Sequence, residues 1–276
     1  MTADFNYDPV TALDESSATG ETARIFADIR ETMGIPLITS IWRGLAGMGD
    51  SLETVWQAAK PIYLSGRTEP ALERVIEQCG LPTAETPAPA RLARAGISRA
   101  QLESIRTVID AYNRSNGLNL VALAALTAPA SGKKQQGRWR TMPAWGSFPA
   151  LLAREAIDPQ TWDLIRQVNA FGTSGIDAHV ATLWRHLGHW PGFLSLVLSE
   201  FAPAHADGSI AQAARRMITL AQQEGLRLAA WRNTDVVLPD QAHRTLTGYV
   251  TSPAQVARMV TIGYALAHWL PPGEHS

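Results

Sequence analysis

From residue 20 onward apolar residues recur at spacings of three and four, and the strict alternation of a half-buried strand is nearly absent. Ala23, Ile25, Phe26, Ile29 and Met33 fall on one face, and Gly34 stands where a helix stops, which predicts a helix over 20–33. A second helix is expected over 36–45, with Pro36 in its first turn, where a missing N–H costs nothing. Leu52, Val55, Trp56 and Ala59 mark a third over 51–63. A fourth runs over 70–78 and is closed by Gly80 and Pro82. A Pro/Ala loop (81–90) follows. Ser98 and Gln101 have capping-box spacing and start a helix to about Tyr112. The stretch 113–117 (NRSNG) reads as a turn, and 118–128 as an apolar helix.

The second half repeats this order. Asp158-Pro159 is a cap and first-turn pair, and Trp162, Leu164, Ile165, Val168 and Phe171 repeat the first stripe. Further helices are predicted at 193–201, 213–220, 240–249 and 254–270. The stretch 235–238 is too short to count as a strand. A motif at 175–194, GIDAHVATLWRHLGHWPGFL, matches the frame of GIPLITSIWRGLAGMGDSL at 34–52. Placing Trp42-Arg43 on Trp184-Arg185 also brings Leu45 onto Leu187 and Leu52 onto Leu194. The pattern predicts an all-α fold of two tandem helical repeats, 20–130 and 159–270, forming an intramolecular pseudo-dimer. A loosely packed N-terminal arm (1–19), a linker (131–158) and a short tail (271–276) complete the chain.

Composition narrows the function classes. With 46% hydrophobic residues in 276 the chain can bury a sizeable core, and its net charge of −1 gives no electrostatic footprint for nucleic acid. The linker holds Lys133, Lys134, Arg138 and Arg140 beside Trp139 and Trp145, which reads as a solvated crossover with two aromatic anchors. Cys79 is the only cysteine, so neither a disulfide framework nor a thiolate metal site is available. No apolar run reaches the ~18 residues a membrane span needs, and the acidic N-terminal stretch lacks the basic-then-apolar order expected of a secretory signal. The expectation is a cytoplasmic protein, monomeric or homodimeric, without nucleic-acid or membrane partners.

The cleft between two such halves is a natural small-molecule site, and groups that break the symmetry there are candidates for chemistry. Ile35, Pro36 and Leu37 face Asp177, Ala178 and His179 across the copies, so one copy resembles wall and the other carries titratable groups. Asp177 is a helix cap or, with His179, a means of activating water; His179 is a core histidine or a general base. Asn116 and Asn119 straddle an expected helix start, either capping it or binding a carboxylate and a water. Arg43 and Arg185 at matched positions read as a structural ion pair or carbonyl cap, against a substrate clamp. His179 and His186 share a helix face, but His189 falls past Gly188 and no HExxH pairing exists, so no metal is expected. No phosphate loop, dinucleotide turn or nucleophile elbow is present, and no cofactor is called for.

The helical frame, with Ile-Pro then Trp-Arg-Gly-Leu-Ala in the first half and Leu-Trp-Arg-His-Leu-Gly-His-Trp-Pro in the second, resembles the DehI-type (group I) 2-haloacid dehalogenases over about residues 20–270. The resemblance implies an active site between the repeats. There an aspartate of the second motif activates a water that attacks C2 of either enantiomer of a 2-haloacid, without an ester intermediate. That aspartate falls within 177–179. Asp177 supplies the chemistry, while counting back from Thr182-Leu183-Trp184-Arg185 leads to His179. The small hydroxyl residue expected beside it is Ala178 here. The family asparagine matches Asn116, the tyrosine three residues later is Asn119, and aromatic pocket positions fall at Leu37 and Ser40. The expected assignment is His179 as base, Asp177 orienting it and Asn116 holding water. Asn119, Leu37, Ser40 and Ala178 then line the site for a small carboxylate. The alternative is a non-catalytic protein of the same fold that binds a small metabolite.

Overall fold

The computed structural model describes residues 12–129, 143–173 and 180–273. Among these there are twelve α-helices and no strand. The first, α1 (Gly20–Met33), buries Ile25, Phe26, Ile29 and Met33 and ends on Gly34, whose left-handed φ of 60° suits a residue without Cβ. Next, α2 (Ser40–Ala46) starts four residues later than the Pro36 pattern suggests. The cause is a tertiary contact. The Ile38 N–H donates to the Glu15 carboxylate at 2.8 Å, and Glu15 also pairs with Arg30, which holds 35–39 out of the helix. Both α3 (Ser51–Leu64) and α4 (Thr68–Gln78) follow the predicted stripes. A short α5 (Pro89–Arg94) emerges from the Pro/Ala loop, with proline at its first position.

The largest departure from the sequence pattern is α6 (Arg99–Thr127), one helix of 29 residues. The Ser98–Gln101 capping box opens it as expected, but the supposed turn at 113–117 is helical. Packing overrides local propensity here. Asn113 donates from Nδ2 to the Gly263 carbonyl at 3.0 Å, and Ser115 is wholly buried. Gly117 makes room for α4: a Cβ there would lie 2.5 Å from Leu72 Cδ2. Its glycine serves close approach rather than a turn, and neither Asn116 nor Asn119 caps a helix.

The second half contains α7 (Pro159–Asn169), α8 (Thr182–Leu187), α9 (Pro191–Ala206), α10 (Ser209–Leu228), α11 (Asp240–Thr251) and α12 (Val256–Trp269). Asp158 caps α7 by accepting from the Thr161 N–H at 2.9 Å. Two apolar clusters form the core, and each draws on both halves. One joins Phe26, Trp42 and Trp56 to Met217, Leu246 and Val260; the other joins Leu37, Ile105 and Ile109 to Leu183, Trp184 and Phe193. The long α6 serves one cluster with its first turns and the other with its last. No described helix is long and apolar enough to cross a membrane.

The described part of the N-terminal arm is not loose. It forms a 3-10 turn at Glu15–Ser17 and carries Leu13, whose carbonyl accepts from Arg43 Nη1 at 3.3 Å. The described linker mirrors it, with a 3-10 turn at Arg154–Ala156 and a Leu152 carbonyl accepting from Arg185 Nε and Nη2 at 3.1 and 2.6 Å. Trp145 anchors the linker to the first half by donating from Nε1 to the Gly34 carbonyl at 3.0 Å. Trp139 and the four linker cations lie outside the described residues.

Candidate active site

The two Trp-Arg motifs form the short helices α2 and α8, and the described candidate residues lie at the start of α2 and in the middle of α6. Trp42 and Trp184 are fully buried, which sets each helix into its cluster by apolar contact. Arg43 and Arg185 are 4% and 6% exposed, so their charges lie inside the protein rather than at a solvated rim. Arg43 Nη2 reaches the Thr182 hydroxyl at 3.3 Å, tying α2 to the first residue of α8. Each guanidinium also holds a backbone carbonyl of an arm, Leu13 for Arg43 and Leu152 for Arg185. Burial first, and then the like charge of Arg43, makes Arg185 a weaker base than usual.

On α6 three polar side chains share one face: Tyr112, Asn116 four residues on, and Asn119 three beyond that. Asn119 is completely buried and fully engaged. Its Oδ1 accepts from Trp42 Nε1 at 3.2 Å and from the Tyr63 hydroxyl at 2.9 Å, and its Nδ2 donates to Thr39 Oγ1 at 2.9 Å. Because Thr39 is the N-cap of α2, Asn119 fixes the point where Leu37 and Ser40 enter the fold. Leu37 is buried in the cluster that holds Tyr112, Val180 and Leu183, so the wall it forms meets second-half residues. Ser40 is half-buried as the first residue of α2. Asn116 is half-buried, and its amide hydrogen-bonds to no described residue.

Tyr112 donates to His186 Nδ1 at 2.9 Å, and His186 Nε2 lies 2.9 Å from the Pro149 carbonyl. A carbonyl only accepts, so Nε2 carries the proton and the ring is neutral. Burial pushes the His186 pKa down to about 4, with the neighbouring His189 and arginines adding to the effect. Burial likewise raises the Tyr112 hydroxyl. Neither ring nitrogen of His186 is left for a metal, and among the described residues no group of three metal-ligating side chains occurs. His189 is exposed past the end of α8, with Nε2 2.8 Å from the Ala150 carbonyl.

Asp177, Ala178 and His179 lie outside the described residues. The points that bound their segment are well anchored. Thr173 Oγ1 donates to the Ala170 carbonyl at 2.7 Å, and the Ala181 N–H donates to the buried Asn169 Oδ1 at 3.0 Å. Arg258 of α12 reaches into the same corner and binds the Asn169 and Phe171 carbonyls at the end of α7. The structure therefore ties Asn119 through Thr39 to the chain segment that carries Leu37 and Ser40, and places Asn116 on the same face of α6 as Asn119. Sequence patterns missed Tyr63, Tyr112 and Thr182 as part of this network. The available signal was the spacing 112–116–119, which becomes visible only if NRSNG is taken as helical.

An all-α protein, among its described residues, with buried polar networks around α2, α6 and α8 defines the class; comparisons with known proteins narrow it. No family model matches the chain. In sequence it is 25% identical over 226 residues to a configuration-inverting 2-haloacid dehalogenase from Alcaligenes xylosoxydans xylosoxydans, covering 76% of this chain and 75% of that protein. It is 23% identical over 204 residues to a configuration-inverting 2-haloacid dehalogenase from Pseudomonas sp. (strain 113), covering 68% and 65%. It is 30% identical over 111 residues to an (R)-2-haloacid dehalogenase from Pseudomonas putida, covering 38% of this chain and 37% of the relative. In fold it is similar to a solved D-2-haloacid dehalogenase complex with L-LA, at TM-score 0.73 and 14% identity, over 94% of this chain and 97% of that one. These matches bear out the resemblance to the DehI-type 2-haloacid dehalogenases: the chain is a distant relative of them.

Proposed function

We propose that this protein is a hydrolase of the 2-haloacid dehalogenase type, acting on a small carboxylate-bearing electrophile in a cleft between two helical repeats. The observation that carries this reading is the match to inverting dehalogenases over 68–76% of the chain. The duplication is supported by devices that recur in both halves. Arg43 and Arg185 each hold the carbonyl of a leucine seven residues before α1 and α7, Leu13 and Leu152, and a 3-10 turn follows each leucine. Arg114 of α6 binds the Met33 and Gly34 carbonyls at the end of α1, as Arg258 of α12 does at the end of α7. These arms extend the repeats, so that the arm and linker are their leading segments.

In the proposed reaction, water oxygen forms a bond to C2 while the carbon–halogen bond breaks and its electron pair leaves with the halide. The water proton passes to a base, and C2 inverts. His179 is that base, with Asp177 orienting its ring and Asn116 holding the water. Leu37, Ser40 and Ala178 form the wall around the substrate carbon, and Asn119 positions that wall through Thr39. The substitution of Asn119 for a tyrosine is accommodated by a borrowed hydroxyl, since Tyr63 of α3 reaches the same network from outside the motif.

The test is halide release from each enantiomer of 2-chloropropionate, with the configuration of the lactate product determined. Activity in wild type, inversion at C2, and loss in His179→Gln support the reading. Saturable binding of 2-chloropropionate or lactate without halide release overturns it in favour of a metabolite-binding protein of the same fold.

A further inference from the structure

Arg43 and Arg185 each follow the tryptophan of their motif, and Ser40 and Thr182 each stand two residues before it. These matched positions are not used alike. Arg43 Nη2 reaches the Thr182 hydroxyl at 3.3 Å, so the guanidinium of α2 crosses to the first residue of α8. Under the proposed duplication the reciprocal contact would run from Arg185 to Ser40, the first residue of α2, and no hydrogen bond joins those two. Arg185 directs Nε and Nη2 to the Leu152 carbonyl, at 3.1 and 2.6 Å, while its Nη1 donates to no described residue and is not sealed from solvent. The Ser40 hydroxyl is half-buried and likewise hydrogen-bonds to no described residue. Arg185 is 6% exposed, and it makes no ion pair among the described residues. The carboxylates whose charge reaches it, Asp14 and Glu155, are exposed on the arm and the linker, and Arg43 opposes it with like charge.

We infer that Arg185 and Ser40 hold the carboxylate of the substrate, with Arg185 Nη1 on one oxygen and the Ser40 hydroxyl on the other. The inference rests on the reading above, of a small carboxylate-bearing ligand between the repeats, and names the groups that recognise it. A buried guanidinium without a counter-ion is unfavourable, and a ligand that brings a negative charge offsets that penalty. An N–H and an O–H that lack protein acceptors match the two acceptor oxygens of a carboxylate. A neutral or cationic ligand leaves the charge of Arg185 unmet. Arg43 adds positive charge from α2 but is not the direct ligand, since it is engaged with the Leu13 carbonyl and Thr182. The carboxylate keeps its charge from bound substrate to transition state, so this contact sets KM rather than kcat. A group that held the leaving halide would act on kcat instead, because that charge develops only as the carbon–halogen bond breaks.

The experiment is calorimetric titration of the full chain with propionate, propionamide and chloride at constant ionic strength, alongside halide release from 2-chloropropionate. Propionate is expected to bind saturably, and at least about tenfold more tightly than either propionamide or chloride. Arg185→Gln should weaken propionate by about tenfold or more and leave propionamide within about twofold. The same variant should raise KM for 2-chloropropionate by a similar factor, with kcat within about threefold of wild type. Ser40→Ala removes a hydroxyl that no described residue uses, so it should weaken propionate by about threefold or more without moving the thermal unfolding midpoint. If Arg185→Gln does not fold, Ser40→Ala decides the matter. No saturable binding of propionate, equal affinity for propionate and propionamide, chloride binding as tight as propionate, or unchanged propionate affinity in the folded variants would each overturn the proposal. Propionate binding that depends on Arg185, with no halide released from 2-chloropropionate, sinks the hydrolase reading and leaves this one standing. Halide release with KM unchanged in Arg185→Gln does the reverse.

Discussion

Asn119→Leu removes a hub while nearly keeping its shape. In the native protein three buried polar groups depend on the Asn119 carboxamide: Trp42 Nε1 at 3.2 Å, the Tyr63 hydroxyl at 2.9 Å and Thr39 Oγ1 at 2.9 Å. Leucine fills the space, so water cannot enter to replace the lost bonds. Each buried group left without a partner costs about 1–3 kcal/mol, and rotation of the Tyr63 and Thr39 hydroxyls recovers part of that. The expected loss is about 3–5 kcal/mol, a large share of the ~5–15 kcal/mol typical of a folded domain. Tyr63→Phe should cost only about 1 kcal/mol, because Trp42 still satisfies Oδ1. The assay is urea unfolding followed by tryptophan fluorescence, with the double variant completing the cycle. A cost below about 1 kcal/mol for Asn119→Leu, or equal costs for the two single variants, refutes the view that Asn119 organises the start of α2.

Other consequences follow from the same geometry. Because His186 is held at a pKa of about 4 against an ordinary 6.5, the unfolded chain binds the extra proton between those values. This contribution to stability is complete above about pH 6.5 and is lost as pH falls toward 4, by at most about 3 kcal/mol; unfolding of wild type and His186→Phe across that range should show the difference, and parallel curves would refute it. Gly117→Ala puts a methyl 2.5 Å from Leu72 Cδ2 and should destabilise by about 1–3 kcal/mol, with the cost relieved when Leu72→Ala is added; denaturant midpoints of the single and double variants measure this. If His179 is the base, halide release falls as pH drops through about 6–7 and is low at pH 5. A rate that stays flat to about pH 5, or full activity in His179→Gln, returns the role to Asp177.

Much of the fold is local and was therefore legible along the chain. Stripes at spacings of three and four, the Asp158 cap, the Ser98–Gln101 box and the Gly34 stop involve neighbours within one or two turns, and they place α1, α3, α4, α7 and the start of α6 correctly. The shared Trp-Arg frame likewise marks α2 and α8 as equivalent in sequence. What residues far apart in the chain do to each other was not legible. Whether NRSNG turns or continues as helix depends on Leu72 and Gly263 pressing on it, and the helical outcome alone brings Tyr112, Asn116 and Asn119 onto one face. Whether 35–39 is helical depends on Glu15. The titratable pair that sequence asymmetry singles out, Asp177 and His179, lies outside the described residues. The neutral state of His186 arises only where Tyr112 and the Pro149 carbonyl meet it in a buried space. Periodicity and caps act through the backbone of adjacent residues, so sequence determines them; burial, charge and hydrogen-bond partners are set by whichever segments the tertiary packing brings together.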